Sequence, residues 1–226
     1  MKSICGLKGV VLTFVVLVCG FAITCHSSVK SSTEGVSKTQ DSQEVPEIVR
    51  KEAKRLFGKK VLSIGQKGVS SLTTEVCQPY AIYKVTLERP RRSGFGNRWN
   101  TRMAYGEKTL KLYKAEEVAG FLTSLKKPVS GELEVIERTV VFADLFGAAI
   151  VTHLPKRKSR IEKYAELKEE DWQLVISGTD SGWLVSVTLM RNRRVESSWR
   201  YDLEVSREGA ISIVSERHVY QYAMLS

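Results

Sequence analysis

Histidine and cysteine are scarce in this chain, and their spacing excludes several chemistries. None of the three histidines, His26, His153 and His218, belongs to an HExxH or comparable metal-ligand spacing. The four cysteines, Cys5, Cys19, Cys25 and Cys77, form no CxxC pair, so neither a structural zinc site, a redox motif nor a disulfide framework is supported. Also missing are a GxSxG elbow, a phosphate-binding P-loop and a GxGxxG after a strand. No cofactor is implied.

Two short catalytic matches remain, and each lacks its companions. Ser124-Leu-Lys-Lys127 fits SxxK, where a lysine one helical turn on would deprotonate the serine, but no SDN or KTG element accompanies it. Asp180-Ser-Gly182 fits the aspartic-protease tripeptide. That chemistry needs two aspartates sharing a proton, and Gly178-Thr179 just before it make a β-turn the fuller explanation. An enzyme here would be a hydrolase without a readable motif, with His153 or His218 against a carboxylate such as Asp144 or Asp202 in a deep pocket. With no catalytic spacing visible, a non-catalytic binding or assembly role is the preferred expectation.

Acidic residues are in the minority. Lys and Arg number 35 against 25 Asp and Glu, a formal net charge of +10. Such a balance favours anionic partners: lipid headgroups, acidic polymers or nucleic acid. It also serves solubility alone.

At the N-terminus, Lys2 and Lys8 precede an apolar run from Val10 to Thr24. That run is shorter than the roughly 20 residues of a membrane span, and its flanks fit an export signal. Removing Lys2 and Lys8 with residues 1–25 takes the net charge from +10 to +8, so the mature chain stays basic. The segment ends in Ala22-Ile-Thr-Cys25, which resembles the lipobox of bacterial exported lipoprotein precursors. The resemblance implies lipidation of Cys25, which then becomes the mature N-terminus at a membrane of the cell envelope. Thr24 and Ala22 depart from the usual small residue and leucine of that box. Two alternatives therefore stay open: cleavage after Ala22, giving a secreted or periplasmic protein, and an uncleaved signal anchor. Residues 26–44 are rich in Ser, Thr, Gln and Lys and almost free of apolar side chains, the composition of a flexible tether.

Folded structure is expected from Val45. Pro46 suits the start of a helix and Gly58 its end, with Val45, Ile48, Val49, Ala53, Leu56 and Phe57 as an apolar stripe among Arg50, Lys51, Lys54 and Arg55. Such a basic amphipathic helix packs on its own domain or lies on a membrane. Lys60 to Ile64 and Ala81 to Glu88 read as strands, and Trp99 to Tyr113 as a strand or strand pair. A helix from Ala115 to Lys127 ends at Pro128. Glu132 to Ala143 and Ala148 to Leu154, rich in β-branched residues, read as further strands.

The C-terminal stretch carries the clearest signal. Trp199, Tyr201, Leu203 and Val205 alternate with Ser198, Arg200, Asp202 and Glu204, the period of a half-buried strand. Trp183 to Leu189, and Trp172, Leu174 and Ile176, repeat it, with turn residues between, so Asp171 to Tyr222 reads as a four-stranded antiparallel meander. A helix capped by Ser159 and running to about Glu170, with Ile161, Tyr164, Ala165 and Leu167 to one side, is expected to cover its apolar face. The fold class is α+β, helices packed on antiparallel sheet, similar in layout to the cystatin-like and NTF2-like folds. The chain divides into an export segment (1–25), a tether (26–44), an N-terminal α+β unit (45–155) and a C-terminal helix-plus-meander unit (156–226), the last two separate or one domain.

One echo links the halves. Val85-Thr-Leu-Glu-Arg-Pro-Arg-Arg92 and Val187-Thr-Leu-Met-Arg-Asn-Arg-Arg194 share Val, Thr, Leu and three arginines, and Trp99 or Trp199 follows within seven residues. Either one supersecondary unit is duplicated or two basic hairpins converged. The echo concentrates Arg89, Arg91, Arg92, Arg98 and Arg102 around one connection and Arg191, Arg193, Arg194 and Arg200 around the other. Guanidinium forks bind phosphate and carboxylate bidentately, which makes Arg89, Arg91, Arg92, Arg98, Arg191, Arg193, Arg194 and Arg200 the anion-binding candidates. Phe95, Trp99 and Trp199 are candidates for stacking there or for the core. The partners implied are a membrane through the N-terminus, an anionic lipid or polyanion such as nucleic acid, and a protein.

Overall fold

Helix α1 spans Glu47–Phe57 and is placed by its ends. Glu47 in the first turn and Lys54 and Arg55 in the last complement the helix dipole. Gly58, at φ +73°, then turns the chain through a conformation that a side chain would strain. Val49 and Ala53 are buried as the apolar stripe requires, with Leu56 and Phe57 packed beside them. Ile48 departs from expectation. It is 59% exposed, because one residue is a turn of about 100° on a helix and carries Ile48 from the buried Val49 to the charged flank.

The computed structural model describes residues 45–88, 98–152, 169–191 and 195–223, all belonging to one compact unit, 42–226. After α1, the strands β1 (Val61–Gly65), β2 (Ala81–Glu88), β3 (Arg98–Tyr105) and β4 (Leu110–Leu112) pair antiparallel in sequence order. A short helix α2, Ser71–Val76, lies between β1 and β2, its first turn capped by Ser70, whose hydroxyl accepts the Thr73 N–H at 3.1 Å. Helix α3 covers Ala115–Ser124, where the Glu117 carboxylate accepts the Tyr113 and Lys114 N–H groups at 2.7 and 2.9 Å.

The run from Glu132 to Phe146 corrects the sequence reading: it is a helix, α4, not a strand. Val135, Ile136, Thr139, Val140 and Val141 give it strand-like composition, but buried residues recur at 135, 138/139, 142 and 145/146, a helical period that Val141 and Ala143, buried as well, widen. Its ends are also helical signals. The Glu134 carboxylate binds the Ser130 N–H and hydroxyl, and Gly147 terminates it at φ +71°. Burial between two sheets overrides the weak propensity cost of β-branched residues. Of the strand expected at 148–154, only β5, Ala149–Ile150, forms within the described residues.

The C-terminal meander is present: β6 (Val175–Gly178), β7 (Gly182–Arg191), β8 (Val195–Ser206) and β9 (Ile211–Ala223) pair antiparallel in order, and β5 pairs with β7 at Ala149↔Met190 and Ile150↔Leu189. Trp172 does not open a strand. It closes a 3-10 turn, Glu169–Trp172, and is buried. The helix expected at Ser159–Glu170 falls mostly on 153–168, outside the described residues. Within them, α3 and α4 cover the apolar face of the meander: Tyr201 packs edge-on to Phe142 and Phe146, with centroids 6.3 and 5.9 Å apart.

The layers follow from which face each residue takes. On one side of the first sheet, Tyr83, Val85, Leu87 and Met103 meet Val49 and Ala53 of α1. On the other, Ile82, Ala104 and Leu112 join α3, α4 and the inner face of the second sheet, Val185, Val187, Leu189, Leu203 and Val205, in one larger core. The order is thus α1, first sheet, helical layer, second sheet, an α+β architecture in which residues on either side of 155 share a core. Among the described residues no helix is long and apolar enough to cross a membrane.

The echoed octamers occupy equivalent places. In the β2–β3 hairpin Leu87 faces Trp99 across the ladder, and in the β7–β8 hairpin Leu189 faces Trp199. Thr86 hydrogen-bonds Asn100 opposite it (3.0 Å), and Thr188 accepts from Arg200 opposite it (3.4 Å). Each Val-x-Leu face meets a preceding helix, α1 or α4.

Candidate functional site

Backbone pairing puts the arginine-rich segments where two hairpins turn. The β2–β3 ladder runs out to Glu88↔Arg98 and the β7–β8 ladder to Arg191↔Ser197, and the chain connects these strands through 89–97 and 192–194. The C-terminus of α4 then brings the two hairpin ends together. A methyl group on Gly147 would lie 3.8 Å from the Asn100 carbonyl oxygen, two residues from the end of β3. Two to three residues on, Ala149 and Ile150 pair with Met190 and Leu189, and the Val151 N–H donates to the Thr188 carbonyl at 2.9 Å. A single tight passage therefore spans from one hairpin end to the other, and both ends lie at the carboxyl end of α4. The partial negative charge of that helix end favours cations beside it.

Of the anion-binding candidates, Arg89, Arg91, Arg92, Arg193 and Arg194 lie outside the described residues. Arg98 begins β3 and Arg191 ends β7, each at its hairpin end. Arg200 is placed differently. Its Nη1 donates to the Asp171 and Gln173 carbonyls at 2.9 and 3.1 Å, and burial pushes its pKa down although Asp202 and Asp171 pull it up. It clamps the 3-10 turn to the sheet and leaves the hairpin-end set. Arg217 ion-pairs with the Asp171 carboxylate in the same place. Arg102 is buried too, joining the Asp144 carboxylate and the Gly68 carbonyl at 3.0 and 3.1 Å. Trp99 stacks edge-on to Tyr113 (4.6 Å) against the α1 core, and Trp199 packs on the larger core beside His218 (4.6 Å), so both are partly buried against a core. Phe95 lies outside the described residues.

The groups named for a hydrolase are engaged elsewhere. Asp144 accepts from Ser70, Thr73 and Arg102. Asp202 accepts from Ser186 and Ser215. Burial raises its pKa, but these hydroxyls, with Arg200 and Arg217, more than offset that and hold it below the usual carboxylate range. His153 lies outside the described residues. Asp180 is exposed in the β6–β7 turn, closed by Thr179 and Gly182. Ser124 donates to the Phe121 carbonyl and Lys127 to that of Glu75, so the SxxK pair does not meet.

A cleft of about 180 Å³ between α2 and α4 sets Glu75, Glu134 and Glu137 against Lys127 and Arg138, a balance unsuited to anions. Beneath it Cys77 is fully buried, and desolvation raises its thiol pKa to about 12 despite the opposing pull of Lys127 and Arg138. A thiol so buried has almost no thiolate at neutral pH. In the native protein Cys77 should stay unlabelled by a thiol-specific disulfide reagent over hours and react at once in denaturant; rapid native labelling would contradict this burial.

Comparison of the chain with protein-family models, with curated proteins and with solved structures gives no match in any of the three.

Proposed function

We propose that this chain is an exported, membrane-tethered and non-catalytic binding module of the cell envelope, which engages anionic partners through its two arginine-rich hairpin connections. Cys25 is the lipidation position in this reading. The observation that carries it is the common end of the hairpins: two connections holding Arg89, Arg91, Arg92, Arg193 and Arg194 issue from strand ends joined by the passage Gly147 to Ile150, just after α4. Arginines from both then act on one partner, and their salt dependences sum.

The test uses residues 26–226, the portion after the export segment, with phosphatidylglycerol vesicles and a single-stranded oligonucleotide across a salt series. Affinity should fall steeply as salt rises. Arg91→Ala, Arg92→Ala, Arg193→Ala and Arg194→Ala together should make the slope of log K against log salt shallower by about three to four. Preference for one ligand identifies the partner class. Binding insensitive to both salt and the four changes would sink the reading.

A further inference from the structure

A second basic surface lies on α1, on the outer side of the first sheet. Arg50, Lys51, Lys54 and Arg55 are all exposed along the face opposite the buried Val49 and Ala53. Lys60, just beyond the helix, is exposed as well. Only Glu47 and Glu52 oppose them on the helix, and the Glu52 carboxylate is taken by Arg55 at 2.8 Å. The Arg50 Nε donates to the Val45 carbonyl at 3.2 Å, whereas Lys51 and Lys54 make no ion pair among the described residues. Among these cations stands Ile48, 59% exposed, one turn from Lys51 and two from Arg55.

Ile48 is one of six large hydrophobics exposed among the described residues, and on α1 it stands inside a cationic helix face. Cations that reach headgroup phosphates and an isoleucine that enters the acyl boundary are together what a membrane interface selects. A nucleic-acid partner would use the cations and leave Ile48 without an apolar counterpart, and the tether is what favours a bilayer over a protein. Chain length agrees. Nineteen residues, 26–44, separate Cys25 from Val45; at the reach of a Ser-rich linker this is about 25 Å, which confines α1 near any bilayer holding Cys25.

We infer that the exposed face of α1 is a docking surface for the anionic lipid headgroups of the membrane that holds the chain. The inference rests on the membrane-tethered reading above. It gives the two basic surfaces separate tasks: α1 seats the unit on the bilayer, and the hairpin end is left for a partner.

The test reconstitutes the full chain in vesicles of phosphatidylcholine with or without 30% phosphatidylglycerol, labels exposed amines briefly and reads each lysine by mass spectrometry. Each Lys or Arg near an anionic surface contributes about a fivefold preference, so labelling of Lys51 and Lys54 should drop at least about fivefold in the anionic vesicles and recover in high salt. Lys126, exposed at the end of α3 across the first sheet, serves as the internal reference and should not change. The Arg91, Arg92, Arg193 and Arg194 alanine variant should show the same protection. Equal labelling of Lys51 and Lys54 in both vesicles overturns the α1 surface and leaves the hairpin reading intact. Protection lost in the hairpin variant assigns the lipid contact to the hairpins and overturns it too. Failure of the chain to incorporate into either vesicle removes the tethered reading and this inference with it.

Discussion

Replacing Asp144 with alanine should cost about 3 to 5 kcal/mol of stability, the range for removing one partner of a buried ion pair. The carboxylate joins three elements that meet nowhere else in sequence. Its Oδ2 accepts the Ser70 N–H at 3.0 Å and the Thr73 hydroxyl at 2.7 Å, which fixes the first turn of α2. Its Oδ1 accepts from Arg102 of β3 at 3.0 Å. The Arg102 side chain is 9% exposed and its Nε has no hydrogen-bond partner among the described residues, so without Asp144 the guanidinium is a buried charge with only the Gly68 carbonyl. Chemical denaturation measures the loss. Adding Arg102→Met to Asp144→Ala should recover part of it, because the penalty comes mainly from the stranded charge. A loss below about 1 kcal/mol for the single variant would contradict this account.

The same group sets an acid dependence. Burial alone would raise the pKa of Asp144, but the Thr73, Ser70 and Arg102 donors outweigh it and hold the value below the usual carboxylate range. A carboxylate depressed in the folded state adds stability above its unfolded pKa, near 3.9, and loses it as pH falls through the folded value. Wild-type stability should therefore drop more steeply than that of Asp144→Asn over that acid window. Parallel curves would show that Asp144 is not a linked group.

That network was invisible in the sequence for a physical reason. Arg102 and Asp144 are 42 residues apart, and Ser70 and Asp144 are 74 apart, on elements whose approach is fixed only by the core between them. What was legible is local. β2 matches its expected Ala81–Glu88 bounds and the β8 alternation holds from Tyr201 to Val205, because a strand with one wet face writes its period into the sequence. Ser198, expected on the wet face, is instead buried where the β8–β9 register shifts. α4 defeated the same logic. A helix enclosed by two sheets needs no polar face, so its period is blurred and composition speaks louder than spacing. The arginines were legible as clusters in the sequence, yet not the approach of the two ladder ends, since that depends on the passage from Gly147 to Ile150. Arg200 shows the converse: adjacency in sequence suggested a tip residue, while strand alternation directs it to the Asp171 and Gln173 carbonyls.

Gly209→Ala should be nearly as damaging as loss of Asp144, by about 3 to 5 kcal/mol, through backbone rather than charge. Gly209 lies in the β8–β9 turn at φ +83°, where a side chain is strained by roughly 1 to 2 kcal/mol even in open space. Space is not open. A Cβ there would sit 1.8 Å from the Lys127 carbonyl oxygen, far inside contact distance. Neither side can withdraw cheaply. The Lys127 carbonyl accepts from the buried Arg138 guanidinium at 2.6 Å, and next to it the Val129 N–H donates to the Arg207 carbonyl of the turn at 2.8 Å. Pushing the turn away would break the Val129–Arg207 bond, and pushing the Lys127 carbonyl away would take it from Arg138, whose Nη1 already has no partner among the described residues. Gly120→Ala is the matched control. Gly120 is exposed within α3 with nothing within 4 Å of the added methyl, so alanine there should stabilise by about 0.5 to 1 kcal/mol. Urea midpoints moving in opposite directions for the two variants identify the turn's close approach as the cause. Equal and small shifts would mean that the β8–β9 turn slides on the α3–α4 connection rather than locking to it.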